Sequence, residues 1–167
     1  TSLDLMAAVG DPFQPIAVGL LMGARESGQE ILLGGGCQML AILAMALQEI
    51  EPGLRSQFVE KILIGTTSWL VEESLSSSKK RNSFIHLLNH VAEHFKINIL
   101  GLASGYRFSD SKQKVLRDYE IGYIKEGVGA GALSLLAQIK GLTQKEMIKY
   151  CDIEVSNLFS SIDEKCF

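Results

Sequence analysis

The sequence predicts an α/β fold, in which a parallel sheet carries helices on both of its faces. Three short apolar runs of strand length alternate along the chain with longer helical patterns. Each run is followed by small or polar residues, which is typical of strand-to-helix turns in parallel sheets. Parallel neighbours need right-handed crossovers, and these bring helices over the sheet. The expected architecture is therefore a Rossmann-like arrangement of three layers.

The predicted strands occupy residues 30–34, 61–65 and 97–101. In sheets of this kind, ligands bind beyond the carboxyl ends of the strands, and small residues at all three ends leave room for one. Three strands make a narrow sheet. We therefore expect an incomplete sheet, with an edge strand whose unpaired side is exposed or is covered by a partner.

Helices are predicted between and after these strands, at about residues 12–26, 37–51, 55–60, 84–96, 126–140 and 143–159. The first begins with an Asp-Pro pair at residues 11–12, which supplies a cap and a proline at the first helical position. The last begins at Thr143, followed by Glu146 as in a capping box. Two polar segments are predicted as loops: the serine-rich residues 74–83, and residues 106–125, whose length is typical of binding loops.

The composition excludes several classes of protein. A hydrophobic fraction of 47% with 21% charged residues rules out a disordered chain. A net charge of −3 gives no uniform positive field, so a nucleic acid partner is not expected. The most apolar stretch, residues 31–47, contains three glycines and Gln38, so no membrane span or membrane partner is expected.

The cysteines and the first residues bear on cellular location. Three cysteines, at positions 37, 151 and 166, form neither a ligand-spaced pair nor a secreted disulfide framework. We therefore expect a reducing compartment and predict a cytoplasmic protein. Residues 1–9 lack a leader pattern and an initiating methionine, as in a chain that begins partway through a larger protein.

A run of three glycines, Gly34, Gly35 and Gly36, stands between the first predicted strand and the helix that begins with Cys37 and Gln38. Neither the dinucleotide fingerprint nor the lysine-bearing phosphate loop matches it. Its position lets backbone N–H groups approach an anion at the positive end of the helix. The same glycines also suit a tight turn alone, and both interpretations stay open.

A second glycine-rich segment, residues 126–131, opens the helix predicted near the end of the chain. Three glycines in its first turns cost roughly 0.5 to 1 kcal/mol each relative to alanine, so close packing or ligand approach must offset them. Glu126 stands at the helix start, where the helix dipole favours its ionised form. It is either an ordinary acidic residue of a first turn or a fixed carboxylate that accepts a proton, and spacing alone favours the ordinary residue.

Three segments together resemble a known family. They are residues 5–15 (LMAAVGDPFQP), 31–39 (ILLGGGCQM) and 119–131 (YEIGYIKEGVGAG). In order and spacing they resemble the carboxyl-terminal half of the nicotinate-nucleotide:dimethylbenzimidazole phosphoribosyltransferase family, and most of all its less characterised microbial branch, in which lysine precedes the glutamate. The resemblance covers roughly residues 1–140, a phosphoribosyltransferase-like domain, and leaves residues 141–167 as a carboxyl-terminal helix and tail.

The resemblance implies the transfer of phosphoribose from nicotinate mononucleotide to a benzimidazole-type base, which gives the α-riboside 5′-phosphate of the cobalamin lower ligand. It implies that Glu126 is the general base, and it implies neither a metal nor a cofactor. The residues implied to bind substrate are Gly10, Asp11, Gln14, Gly34, Gly35, Gly36, Gln38, Ser104, Lys125 and Gly127.

The resemblance also bears on assembly. Members of the family form homodimers, and we expect this chain to pair through apolar helix faces such as that of residues 39–47. The family's amino-terminal half, which helps to build the base pocket, is absent from these residues, so the 167 residues alone are expected to be inactive. The alternative is a nucleotide- or phosphate-binding module of the same fold without transferase activity.

Two further patterns are candidates for chemistry. His86, His90 and His94 recur every four residues on one helix, as metal ligands can, but apolar residues on the opposite face favour a solvent-exposed stripe. Cys37 follows the run of three glycines at residues 34–36, which we call the glycine turn, and stands at a helix start, where a thiolate is stabilised. No histidine or acidic partner can be placed beside it from the sequence. Its packing in the interior is the favoured interpretation, and Trp69 is likewise predicted to be a core residue.

Overall fold

The sheet has three parallel strands in the order β1-β2-β3, with β1 Ile31–Gly34, β2 Ile62–Thr67 and β3 Leu100–Ser104. Its register pairs Gly34 with Gly65, and Thr67 with Ser104. A computed structural model describes residue 8 and residues 11–76, 83–121 and 129–163. Among these residues no further strand pairs with either edge of the sheet, as expected for an incomplete sheet.

The helices follow the predicted alternation. They are α1 Phe13–Glu26, α2 Cys37–Gln48, α3 Arg55–Val59 with a 3-10 turn Pro52–Leu54 before it, α4 Ser68–Ser76, α5 Phe84–Phe95, α6 Lys114–Ile121, α7 Gly129–Ile139 and α8 Gln144–Asp163.

The main core lies on one face of the sheet. Its buried side chains come from α1, α2, α3, α5 and β2, together with residues at the helix ends. On α2, Leu40, Leu43 and Leu47 recur at helical spacing and are almost fully buried. From the sheet, Ile62 and Ile64 point to this side, because alternate residues of a strand share a face. These contacts bury one face of the sheet beneath α2 and α5.

The opposite face of the sheet is covered by α7, which packs unusually close. A Cβ atom at Gly65 would lie 3.0 Å from the Cβ of Ala132, and one at Gly34 would lie 2.7 Å from the same atom. Glycines in the strands are therefore what allows α7 to approach the backbone of the sheet. With helices on both faces, the predicted three-layer α/β fold is confirmed.

The third strand begins later than predicted, at Leu100 instead of residue 97. The reason lies in the end of α5. Lys96 adopts a left-handed conformation with φ of 55°, and the Ile97 N–H donates to the Ala92 carbonyl at 3.0 Å. Ile97 is therefore held in the cap of the helix, buried in the core, and the extended chain starts only after it.

Both predicted loops contain helix. Residues 74–76 close α4, which Thr67 caps by accepting a hydrogen bond from the Leu70 N–H at 3.4 Å. Residues 114–121 form α6 within the segment predicted as a binding loop. None of the residues of this helix is fully buried. Polar contacts hold the helix, among them the Phe108 N–H donating to Glu120 Oε2 at 2.6 Å.

The last helix starts as predicted. The Thr143 N–H donates to Glu146 Oε2 at 2.9 Å, and the Glu146 N–H donates to Thr143 Oγ1 at 3.3 Å, which is a capping box. The hydrogen bond from Thr143 Oγ1 lowers the pKa of Glu146. No helix in the described ranges combines the length and the apolar character needed to cross a membrane.

Candidate functional site

The glycine turn and the start of α7 meet at the carboxyl ends of the strands. The Gly35 N–H donates to the Gly65 carbonyl at 3.0 Å, so the turn continues the pairing of β1 with β2. On the other side, a Cβ atom at Gly129 would lie 3.5 Å from the Gly34 carbonyl oxygen. Two of the three segments that carry the family resemblance, the glycine turn and the glycine-rich segment that ends at Gly131, therefore converge at one place.

Within the turn, the glycines have different roles. Gly34 is required by packing, since Ala132 of α7 occupies the space that a side chain would fill. At Gly35 a Cβ atom would lie 2.8 Å from the flexible Met39 side chain, which can move more easily. Gly36 is the N-cap of α2, and as a glycine it has no side chain to cap that helix start. The N–H groups of the first turn of α2 therefore have no acceptor on the side chain of their N-cap residue, as in anion sites at helix starts.

Two predicted binding residues lie together beside this turn. Gln38 Nε2 donates to Asp11 Oδ2 at 3.3 Å, and both side chains are exposed. Asp11 Oδ1 also accepts from the Phe13 N–H at 2.9 Å, which caps α1 as predicted. Gln14 follows in the first turn of α1 and is partly buried. The starts of α1 and α2 are thus joined through a carboxylate and an amide.

Ser104 ends β3 opposite Thr67 and is buried, with 2% of its surface exposed. The next residue, Gly105, donates its N–H to Gln138 Oε1 at 3.1 Å and so joins this strand end to α7. The remaining predicted site residues, Gly10, Lys125, Glu126 and Gly127, lie outside the described residues.

A group of aromatic side chains lies beyond the ends of β2 and β3, and it includes Trp69, which was expected in the core. Trp69 stacks on Phe108 with ring centroids 5.5 Å apart, and the edge of Tyr119 meets Trp69 at 5.4 Å. All three rings are partly exposed. The Arg107 guanidinium lies 5.9 Å from the centre of the Trp69 ring. We call Trp69, Phe108 and Tyr119 the aromatic cluster.

Acidic side chains hold the arginine beside this cluster. Arg107 pairs with Glu72, and its Nε lies 4.0 Å from Glu120 Oε1. Burial raises the pKa of the Tyr119 phenol above its usual value. The signal in the sequence was the position of the single tryptophan, directly after the polar residues that follow a strand.

Within the part of the chain that the structure describes, three polar side-chain atoms are buried without a hydrogen-bond partner. They are Thr66 Oγ1, Ser68 Oγ and Trp69 Nε1. Thr66 has only 1% of its surface exposed, and its neighbour Thr67 has its hydroxyl engaged in the cap of α4. Buried polar atoms in folded proteins are almost always paired with a protein group or an ordered water, so these three atoms are exceptions to the usual pairing.

The structure also places the two remaining candidates for chemistry, the three histidines of α5 and Cys37. His86, His90 and His94 are exposed on α5, in agreement with the solvent-stripe interpretation. Across the described ranges, no group of three histidine, cysteine or acidic side chains is placed to hold a metal ion. Cys37 is exposed, so its predicted packing in the interior is wrong. Cys37 is the first residue of α2 and lies on the exposed face of that helix, whereas Leu40, three residues later, is buried in the core.

Comparison with known proteins shows relatives that share most of this chain. No family model matches it. The chain is 50% identical over 157 residues to the UPF0284 protein of Prochlorococcus marinus strain MIT 9313, which covers 94% of this chain and 39% of that protein. It is 42% identical over 157 residues to a UPF0284 protein of Parasynechococcus marenigrum, with the same coverage.

A more distant relative extends the same pattern. A UPF0284 protein of Rippkaea orientalis is 36% identical over 148 residues, which is 87% of this chain and 37% of that protein. The chain is similar to part of the UPF0284 proteins. It spans about two fifths of the length of these relatives, and their names state no activity.

Proposed function

We propose that the chain is part of a phosphoribosyltransferase-like enzyme that transfers phosphoribose from nicotinate mononucleotide to a benzimidazole-type base. The observation that carries the proposal is the convergence of the glycine turn and the start of α7. Gly129 lies against Gly34 at the carboxyl ends of the strands, where α/β sheets bind their ligands. The sequence resemblance comes from segments at this same place.

The nucleotide phosphate would bind at the glycine turn. Gly35 and Gly36 are buried there, and the start of α2 has no side-chain cap. Backbone N–H groups at such a helix start can bind a dianion without a metal ion. Asp11 and Gln38 lie at the exposed rim of the turn, where hydroxyl groups of a ribose are suitable partners.

The reaction needs one proton acceptor. One ring nitrogen of the acceptor base attacks the anomeric carbon, the bond from that carbon to the nicotinate nitrogen breaks, and nicotinate leaves. The N–H proton of the attacking base passes to Glu126. Glu126 comes three residues before Gly129 in the sequence, and three peptide links span at most about 11 Å. This short tether supports a carboxylate that acts near the glycine turn.

A binding module without catalysis is the second candidate. The chain spans only 39% of a relative's length, so residues needed for the transfer can lie elsewhere in the longer proteins. In that case the glycine turn would bind the nucleotide, but no base would be ribosylated.

The two candidates are separated by a product assay on the full-length protein. The protein is incubated with nicotinate mononucleotide and benzimidazole, and the riboside phosphate and free nicotinate are quantified by chromatography with mass spectrometry. Transfer predicts both products in equal amounts. Binding of nicotinate mononucleotide by calorimetry, with neither product formed, would favour the binding module. Absence of both binding and products would refute both candidates.

A further inference from the structure

We propose that a row of leucines on the α7 side of the sheet is the docking surface for a helix from the rest of the full-length polypeptide. The row consists of Leu32, Leu63 and Leu100, one from each strand, and we call it the leucine row. Its occupant is an amphipathic helix that lies beside α7 and carries basic residues at its carboxyl end. This inference does not depend on the reaction proposed above.

The leucine row crosses all three strands at one level of the sheet. Leu63 pairs with Leu32 on one side and with Leu100 on the other. Residues paired in this way point to the same face of a sheet. That face is the one on which α7 packs, because a Cβ atom at Gly65, which shares a face with Leu63, would lie 3.0 Å from the Cβ of Ala132. The leucine row therefore lies on the α7 face, near the amino ends of the strands.

Among the described residues, α7 covers the leucine row only in part. The helix runs from its close contact at Ala132 toward the amino ends of the strands, where Leu136 and the leucine row line a cavity of about 350 Å³. Leu100 has 61% of its surface exposed and Leu136 has 42%. Parallel strands in α/β proteins are normally covered by helices on both faces, so this open row indicates that part of one layer is supplied from elsewhere.

One flank of α7 adds an apolar wall to this surface. Leu133 precedes Leu136 by three residues and is also exposed, so the two side chains lie on the same side of the helix. The leucine row is then the floor of a groove and these two leucines are its wall. A helix is the element that packs against both a sheet face and a neighbouring helix in the layers of an α/β fold.

The full-length polypeptide is long enough to supply this helix. The matched region is 39% of the Prochlorococcus marinus relative, so about three fifths of that protein lies outside it. In α/β proteins the helices that cover a parallel sheet come from crossover connections of the same chain. Cover by the same chain also avoids a contiguous apolar surface on the free monomer, which cover by a second copy does not.

Charges at the rim of the cavity favour one orientation of the helix. Glu30, Glu60 and Lys61 lie at this rim, and Lys61 Nζ donates to the Gly28 carbonyl at 2.9 Å. The two carboxylates give the rim a net negative charge. Helices in crossover connections run antiparallel to the strands, as α7 does, so their carboxyl ends lie at this end of the sheet. Basic residues in the last turn are therefore favoured both by the helix dipole and by the two glutamates.

The first test is photo-cross-linking of the full-length protein with p-benzoylphenylalanine in place of Leu100. Gel electrophoresis separates cross-links within one polypeptide from those between two, and mass spectrometry identifies the captured peptide. We expect a cross-link within one polypeptide, to a helix that lies outside these 167 residues and has lysine or arginine in its last turn. A product of twice the mass would assign the surface to a second copy and overturn the proposal. A captured peptide from within the 167 residues would also overturn it.

The second test measures how accessible the groove is in the full-length protein. Leu136→Cys and Leu54→Cys are a matched pair, because these leucines are 42% and 40% exposed here. Leu136→Cys should react with a maleimide about a hundredfold more slowly than Leu54→Cys, because labelling requires the docked helix to open. Peptide mass spectrometry gives the extent of labelling at each position. Leu100→Cys reports on the same cavity and gives the readout if Leu136→Cys does not fold.

Dilution identifies the source of the protection. Cover by the same polypeptide should give the same labelling ratio after about a hundredfold dilution of the protein, because docking within one chain does not depend on concentration. Protection that disappears on dilution would assign the surface to a second copy. Equal labelling rates for Leu136→Cys and Leu54→Cys would show that no helix covers the leucine row, and either result would overturn the proposal.

Discussion

Gly131 lies so close to the backbone of Thr66 that a Cβ atom at Gly131 would stand 2.5 Å from the Thr66 carbonyl carbon. The contact joins the first turn of α7 to the end of β2 without any side chain between them. A strand end and a helix start are thereby held at a fixed separation. Glycines in the first turns of a helix lower its stability relative to alanine. This close packing explains why the start of α7 nevertheless contains a glycine at position 131.

The first prediction concerns this contact. Gly131→Ala should destabilise the protein by about 1 to 3 kcal/mol, because the Thr66 backbone cannot move aside without disturbing β2. Thermal unfolding measures the effect. Gly19→Ala in α1 is the control, because no atom lies within 4 Å of the added methyl group. That change should stabilise the helix by roughly 0.5 to 1 kcal/mol. Equal melting temperatures for the two variants would contradict the close packing.

The second prediction is a dependence of stability on pH at the contact between α8 and the segment before α6. Asp152 accepts hydrogen bonds from the Ser111 hydroxyl and, at 3.1 Å, from the Lys112 N–H. The Ser111 hydrogen bond is the main cause that lowers the pKa of Asp152 in the folded protein. A lowered folded pKa gives stability that is complete above the unfolded value of about 3.9 and is lost as the pH falls below it.

Asp152→Asn tests this linkage. The variant should be less stable than the wild type at neutral pH, and the difference in melting temperature should shrink as the pH is lowered through the acidic range. Asp110→Asn, an exposed residue of the same segment, serves as the control and should track the wild type. A deficit of Asp152→Asn that stays constant down to the most acidic pH would show that its carboxylate charge is not involved.

The fold could be predicted from the sequence where apolar periodicity reports burial directly. β1, β2, α2 and α5 all contribute to the core, and their patterns give their positions to within a few residues. The α6 helix could not be found in this way. Its stability depends on contacts distant in sequence, such as Gln113 Nε2 donating to Ser156 Oγ at 2.8 Å. A local pattern contains no information on such a partner.

The candidate site likewise has one part that the sequence predicts, the glycine turn, and one part that it does not, the aromatic cluster. The glycine turn could be located because glycines between a strand and a helix mark a place where the backbone turns sharply or is closely approached, and topology puts that place at the strand ends. The aromatic cluster was missed because Phe108 and Tyr119 come from a segment without strong periodicity. Trp69 alone does not distinguish a core residue from a binding surface, since that depends on which rings the fold brings beside it.

The third prediction concerns self-association through an exposed apolar face. The helix expected from the sequence to form the interface, α2, is unsuitable, because Leu40, Leu43 and Leu47 are buried within the chain. On α1, by contrast, Phe13, Ile16 and Leu20 form an exposed stripe.

We expect a dimer by light scattering, and Leu20→Lys should convert it to a folded monomer whose helix content by circular dichroism equals that of the wild type. Leu54→Lys introduces the same charge at an exposed leucine elsewhere and should leave the dimer intact. A monomeric wild type at high concentration would contradict the prediction.

The last prediction addresses the proposed proton acceptor. Glu126→Gln in the full-length protein should lower kcat by about 10² to 10⁴, because glutamine keeps the size of the side chain but cannot accept the proton. The affinity for nicotinate mononucleotide should stay nearly unchanged, since the phosphate is proposed to bind backbone N–H groups of the glycine turn. Glu30→Gln, at an exposed position beside the first strand, is the control and should keep full activity. If Glu126→Gln turned over at the wild-type rate, Glu126 would be an ordinary acidic residue. If the variant lost as much nucleotide affinity as rate, Glu126 would act in binding instead of proton transfer.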